Sequence, residues 1–222
     1  TPIAIIGKKG VGKKTLVHEA IYRYMKAGPR DKSRLQKIYH INPNRVIAGM
    51  SIIGWWTRRF TEIVEYARDR ISELPNATTI KGEQTDHLLF DNPVALLRIG
   101  QTSKSKLSLQ NVLLSYLEKR EVGTIILATP EEWQIMQEKS RRFADLFQVI
   151  RISEMNYSTA ATAIIEQRRL LEQNNSCVFN IAAIDQIFNL QRNFFPQQAL
   201  PGSVMKIMNQ LAAGYRHKTI DL

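Results

Sequence analysis

The chain opens "TPIAIIGKKGVGKKTL", in which Gly7, Gly12 and Lys13 stand at the spacing G-x-x-x-x-G-K. Between a strand and a helix, residues of these types bind phosphate. Glycines let the backbone approach, loop amides and the helix N-terminus face the oxygens, and the lysine reaches the β- and γ-phosphates. Gly10 adds a second freely turning position inside the loop. The next position of the pattern ordinarily carries a hydroxyl that ligates magnesium, and here it is Lys14, with Thr15 one residue late. One helical step turns a side chain by about 100°, so Thr15 does not simply take over. Three arrangements stay open. The loop re-registers so that Thr15 becomes the metal ligand, magnesium is held poorly, or the Lys14 ammonium partly replaces the cation. Two unit charges about 4 Å apart interact by about 4 kcal/mol at an effective dielectric near 20, so an ammonium there repels magnesium appreciably.

A second group of reactive types closes "HLLFDNP". Asp91 is placed to hold magnesium through water. The following position ordinarily carries a glutamate that activates the attacking water, but Asn92 stands there. A carboxamide cannot accept a proton at neutral pH, so the expected general base is missing.

These residues need a scaffold that brings strand ends together, and the chain supplies one. "PIAIIG", "KIYHINP", "DHLLFDNP", "TIILATP" and "QVIRIS" are short apolar runs that read as strands. Helical patterns alternate with them: "KKTLVHEAIYRYMKAG", "WWTRRFTEIVEYARDRISELP", "SLQNVLLSYLEKREVG" and the start of "EEWQIMQEKSRRFADLF". Such alternation predicts an α/β fold, a parallel five-stranded sheet with helices on both faces. Ligands of such sheets sit beyond the carboxyl ends of the strands. After Ile152 three helical patterns follow without a long strand, which predicts a separate small helical domain. The boundaries are 1–153 for the α/β domain and 154–222 for the helical one.

The ordered set "GKKGVGKKT", "INPNRVIAGMSIIGWWTRRF", "HLLFDNP", "NVLLSYLEKREVGTIILATPEEW", "FQVIRIS" and "LPGSVMKIMNQLAA" resembles the first ATPase module of the Clp-type AAA+ unfoldases and disaggregases. The resemblance covers nearly the whole chain and implies a P-loop AAA+ base with a helical lid. It further implies ATP or ADP with Mg2+, with Gly7, Gly10, Gly12, Lys13, Lys14 and Thr15 at the phosphates and Thr15 and Asp91 at the metal. Thr129 falls at the polar sensor position, or caps the "PEEWQIM" helix. The family's two arginines that act on a neighbour's nucleotide align with Asp145 and Leu146. Arg141 and Arg142, one helical turn earlier, are either that pair displaced or a solvated basic patch. In the substrate-gripping loop Ser51 and Ile52 replace a basic and an aromatic residue. Trp55 and Trp56 either take over gripping or pack at a contact. Pro201, Gly202 and Ser203 stand where the family has Pro-Asp-Lys. With so many catalytic positions altered, the resemblance implies a nucleotide-binding module with weak or absent hydrolysis. Its partners are other AAA+ subunits or further domains of a longer chain, and a protein substrate. A working motor ATPase and a basic nucleic-acid-binding AAA+ protein are the rival readings.

Composition narrows the field. The 222 residues are 44% hydrophobic, enough for one sizeable core and a smaller satellite. No apolar run approaches the ~20 residues that span a bilayer, which points away from a membrane partner. The net charge of +11 suits nucleic acid, a solvated basic face or acidic neighbours, but aromatics are not interleaved as base stacking requires. With Cys177 alone, no intramolecular disulfide forms, and a reducing cytoplasm is expected. The four histidines make no ligand spacing with it. The chain begins inside a strand without Met, so it is expected to be an excised piece. The family's adenine-binding segment precedes that strand, so weak nucleotide binding by this piece alone is expected.

Overall fold

A computed structural model of the chain describes residues 1–28, 37–50, 53–69, 86–101 and 105–221. They divide into two compact units, one of Thr1–Ile6 and Lys14–Arg151, the other of Gly7–Lys13 and Ile152–Leu222.

The larger unit carries five strands, β1 (Ile3–Ile6), β2 (Ile38–His40), β3 (His87–Phe90), β4 (Gly123–Ala128) and β5 (Gln148–Arg151). They form one sheet in the order β2-β3-β4-β1-β5, and every pairing is parallel. Successive residues of a strand face opposite sides, and all six residues of β4 are buried. Both faces of the sheet are therefore covered at β4, as apolar central strands require, whereas the edge strand β5 is exposed along its length. The cover comes from α1 (Lys13–Ala27), α2 (Pro43–Ile47), α3 (Ile53–Asp69), α4 (Pro93–Arg98), α5 (Leu109–Glu118), α6 (Pro130–Lys139) and α7 (Arg141–Ala144). Among these, α3 packs on β3, and α4 and α6 pack on β4. One face of α3 is buried. Phe60, Val64 and Ala67 are fully enclosed with Leu88, Phe90, Leu113 and Ile126, while Ile63 is partly buried against them.

The short helices α2 and α4 lay outside the periodicity reading, because five and six residues are too few to show a period. Both have a local cause. Asn42 and Asn92 accept from backbone amides of the first turn, and Pro43 and Pro93 sit at the start, where no amide is needed. Asp86 is fully buried just before β3, and its Oδ1 accepts from the Lys37 amide at 2.9 Å, which clips β2 to β3.

The smaller unit holds α8 (Tyr157–Asn175), β6 (Val178–Phe179), α9 (Ile181–Phe194), α10 (Gly202–Gly214) and β7 (Thr219–Ile220). Its core joins Ala160, Ile164, Ile187, Phe188, Val204 and Met208. The pair β6 and β7, two residues each and parallel, is an addition to the all-helical expectation. Cys177 is buried in this core, and burial pushes its thiol up from the usual range. Among the described residues no helix is long and apolar enough to cross a membrane.

Phe60→Ala is expected to destabilise the larger unit by about 3–5 kcal/mol, the usual cost of emptying an aromatic site in a core. Tyr22→Ala, at a side chain 60% exposed on α1, should stay within about 0.5 kcal/mol. Urea unfolding of the two variants checks the contrast.

Candidate functional site

Parallel strands put their carboxyl ends on one edge of the sheet. In the larger unit that edge carries His40 at the end of β2, Asp91 after β3 and Thr129 after β4. Registers of His40 with Leu89 and Phe90 with Ile126 stagger these ends, each lying further along the sheet edge than the one before.

Asp91 is the centre of a small charged group. Its Oδ2 lies 2.5 Å from Lys14 Nζ and 3.2 Å from His40 Nε2. The carboxylate is partly buried, while both partners are about half exposed. Burial alone raises the Asp91 carboxyl, but hydrogen bonds and charge from Lys14 and His40 outweigh it. The net effect holds the group below the usual carboxylate range. Asp91 is thus an anion at neutral pH, already matched by an ammonium. His40 had no signal in the sequence, since only the pairing of β2 with β3 brings it within reach.

Asn92, next in the chain, is turned to structural work: its Oδ1 accepts from the Ala95 amide at 3.3 Å and caps α4. Thr129 does the same for α6. Its Oγ1 accepts from the Glu132 amide at 3.2 Å, while the Glu132 carboxylate accepts from the Thr129 amide at 2.8 Å. This reciprocal pair is a capping box. Thr15 lies in the first turn of α1 and is exposed. Arg142 donates to Glu118 at 2.6 Å and Arg141 pairs with Asp145 at 3.7 Å, both largely exposed. The structure thus pairs the two arginines with acidic neighbours on α5 and α7 and does not bring them to Asp91. Trp56 is buried in the core, whereas Trp55 is 63% exposed beside Met50, Arg58, Arg59 and Glu62, which line a shallow groove of about 300 Å³. Ser51 and Ile52 lie outside the described residues.

The glycine loop belongs to the smaller unit. Gly10 and Gly12 take φ of +93° and +97°, which side chains with a Cβ rarely adopt. Lys13 Nζ donates back to the carbonyls of Gly7, at 2.5 Å, and Lys8, at 3.0 Å. The loop is also stitched to the start of α10. The Ala199 amide donates to the Lys9 carbonyl and the Gly202 amide to the Gly10 carbonyl, each at 3.0 Å. Glu154 joins in, accepting from Lys8 Nζ at 3.2 Å and from the Leu200 amide at 2.9 Å. A Cβ on Gly202 would sit 2.4 Å from the Gly10 carbonyl oxygen, so only glycine permits this approach. That contact accounts for Gly202 without reference to a ligand.

No protein-family model matches the chain. Among curated proteins it is 20% identical over 218 residues to the chaperone protein ClpB of Porphyromonas gingivalis, covering 98% of this chain and 24% of that one. To chloroplastic ClpD1 of Oryza sativa it is 22% identical over 221 residues, covering 98% and 22%. Among solved structures, the S. cerevisiae Hsp104-ADP complex superposes with a TM-score of 0.73 at 19% identity, over 96% of this chain and 28% of that one. The chain resembles a Clp-type AAA+ ATPase module. Its α/β fold with a parallel five-stranded sheet is that of the Hsp104 AAA+ domain. A closed-state reconstruction of Hsp104 with ATPyS and FITC casein gives the same TM-score, 0.73, at 17% identity, over 99% of this chain and 37% of that one. The chain spans about a quarter of the length of the curated relatives named here.

Against the Clp-type pattern, the metal site is the clearest departure. A divalent ion needs oxygen donors with room for water. Here the Asp91 oxygen is engaged by an ammonium and an imidazole, and the loop position before Thr15 brings a cation. Among the described residues no group of three or more His, Cys, Asp or Glu side chains could hold a metal ion. These residues do not fit magnesium.

Two substitutions test the capping and stitching roles. Thr129→Ala should cost about 1 kcal/mol of stability, and Thr129→Ser should restore most of it. Gly202→Ala forces backbone against backbone and should cost about 1–3 kcal/mol. Thermal unfolding followed by circular dichroism reads both.

Proposed function

We propose that this chain is a nucleotide-binding AAA+ module of a larger Clp-like protein, resembling the first ATPase domain of those chaperones, with weak or absent hydrolysis. It takes ATP or ADP at the glycine loop. Gly7, Gly10 and Gly12 allow the loop amides to face phosphate, and Lys13 leaves its own loop carbonyls to meet the phosphate oxygens. Its role is that of a scaffold or regulatory subunit among other AAA+ subunits or domains in the cytoplasm. Nucleotide and protein as ligands are supported by the structural likeness to Hsp104, which is seen with ADP, with ATPyS and with casein.

One observation carries the weak-hydrolysis reading. The residue after Asp91 is a carboxamide already engaged as the cap of α4. It has no basic atom to accept a proton from water, and its oxygen is spent on the Ala95 amide. The exposed pairing of Arg141 and Arg142 with acidic neighbours adds to this, since neither is held ready for a phosphate. The motor reading retains one point in its favour: Trp55 is exposed beside a groove, following the position of the family's gripping loop.

The test is calorimetric titration with ATP together with steady-state phosphate release from the assembled protein. Lys13→Ala should weaken ATP binding at least about tenfold, near 1.4 kcal/mol. Phosphate release should stay close to background. Asn92→Glu should raise it only partly, because catalytic groups act as a unit. Fast release by the parent would instead establish the motor reading, and Trp55→Ala should then reduce casein turnover.

A further inference from the structure

Lys14 is the residue whose position most needs explaining. It opens α1 immediately after the phosphate-loop lysine, and its ammonium reaches across to the end of β3. There it meets the carboxylate that a Clp-type module would turn toward a metal, 2.5 Å from Oδ2. His40 approaches the same oxygen from β2 at 3.2 Å. An ion pair whose lysine is about half exposed contributes little to stability by itself, so folding alone does not account for it. What it does achieve is local. A single positive charge stands permanently beside Asp91, covalently tethered and at the residue next to Lys13.

We infer that Lys14 is a built-in counter-ion that takes the place of magnesium at this site, so that the module binds its nucleotide without a divalent cation. This rests on the nucleotide-binding reading above and specifies how that site is regulated: occupancy follows nucleotide concentration and not magnesium. The physical reasoning runs through charge balance. In a Clp-type module, Asp91 and the phosphates would both be anions needing a shared cation between them. Here Asp91 is already neutralised by Lys14, so an incoming phosphate does not meet a bare carboxylate. A divalent ion would have to displace the ammonium from Asp91 and then remain beside it, and like charges at that distance repel strongly. His40 strengthens the same arrangement by engaging Asp91 from the other side. Thr15, exposed on the first turn of α1, supplies no compensating ligand.

The experiment measures ATP affinity of the chain by calorimetry in excess EDTA and in millimolar magnesium, for the parent and for Lys14→Thr. The parent should bind within about threefold in the two buffers, while Lys14→Thr should bind at least about tenfold more tightly with magnesium than without, a difference of about 1.4 kcal/mol. Lys14→Met, which keeps the length and removes the charge, should lose affinity in EDTA. It serves as the control if the threonine variant folds poorly by circular dichroism. Tenfold magnesium dependence in the parent overturns the inference while leaving nucleotide binding intact. So does equal, low magnesium dependence in the parent and in Lys14→Thr, because the lysine would then be irrelevant. Absence of ATP binding by the parent in both buffers overturns the inference and the nucleotide-binding reading together.

Discussion

The constraint on which the larger unit depends is a parallel sheet whose central strands β3, β4 and β1 are buried. Parallel strands run in one direction, so each must hand the chain to a crossover at the same edge. Burial leaves those handovers little freedom. Each strand end here needs a residue that stops the strand and starts a helix, and the helix leaves amides in its first turn that require acceptors. Asn42, Asn92 and Thr129 meet that need at the ends of β2, β3 and β4, and prolines follow at once. In a hydrolytic enzyme the same edge must also present a base and a sensor. At Asn92 the capping requirement is satisfied by a residue that cannot do both.

This gives the departures from the Clp pattern a common physical logic. Where catalysis asks for a carboxylate at the end of β3, the fold asks only for a side-chain acceptor, and asparagine is among the best. Where magnesium chemistry asks for a hydroxyl in the loop, Lys14 turns to Asp91 instead and balances its charge. Where the family shows Pro-Asp-Lys before the last long helix, Gly202 permits an approach to the Gly10 carbonyl that a larger residue would forbid. Each of these residues makes a defined contact within the chain.

The fold was legible in the sequence because its signals are local. Five apolar runs, each followed by a helical period, specify a covered parallel sheet, and the glycine loop and "HLLFDN" specify which strand ends matter. What stayed hidden is what depends on long-range register or on very short elements. His40 joins Asp91 only because β2 pairs with β3, and one strand reading cannot reveal its neighbour. The stitching of Lys9 and Gly10 to Ala199 and Gly202 spans nearly the whole chain, and it rests on backbone groups that every residue carries. The two-residue strands β6 and β7 are too short to alternate. For Thr129 the sequence left sensor and cap open, and the Glu132 partner that completes the capping box was three residues away in plain view.

The adjacent lysines 13 and 14 show how one helical step divides labour. Side chains one residue apart on a helix diverge by about 100°, so the two ammonium groups cannot serve one point. Lys13 turns to carbonyls of its own loop, partners that are neutral and weakly held relative to a phosphate. Hydrogen bonds to charged groups outweigh those to neutral carbonyls. Lys14 has the opposite situation. Its partner is a carboxylate, partly buried and held ionised, and no neutral or anionic newcomer offers more than an exchange of like for like. The sequence "GKK" therefore places one lysine against carbonyls of its own loop and the next against Asp91. The difference arises wholly from what each meets at the end of its reach.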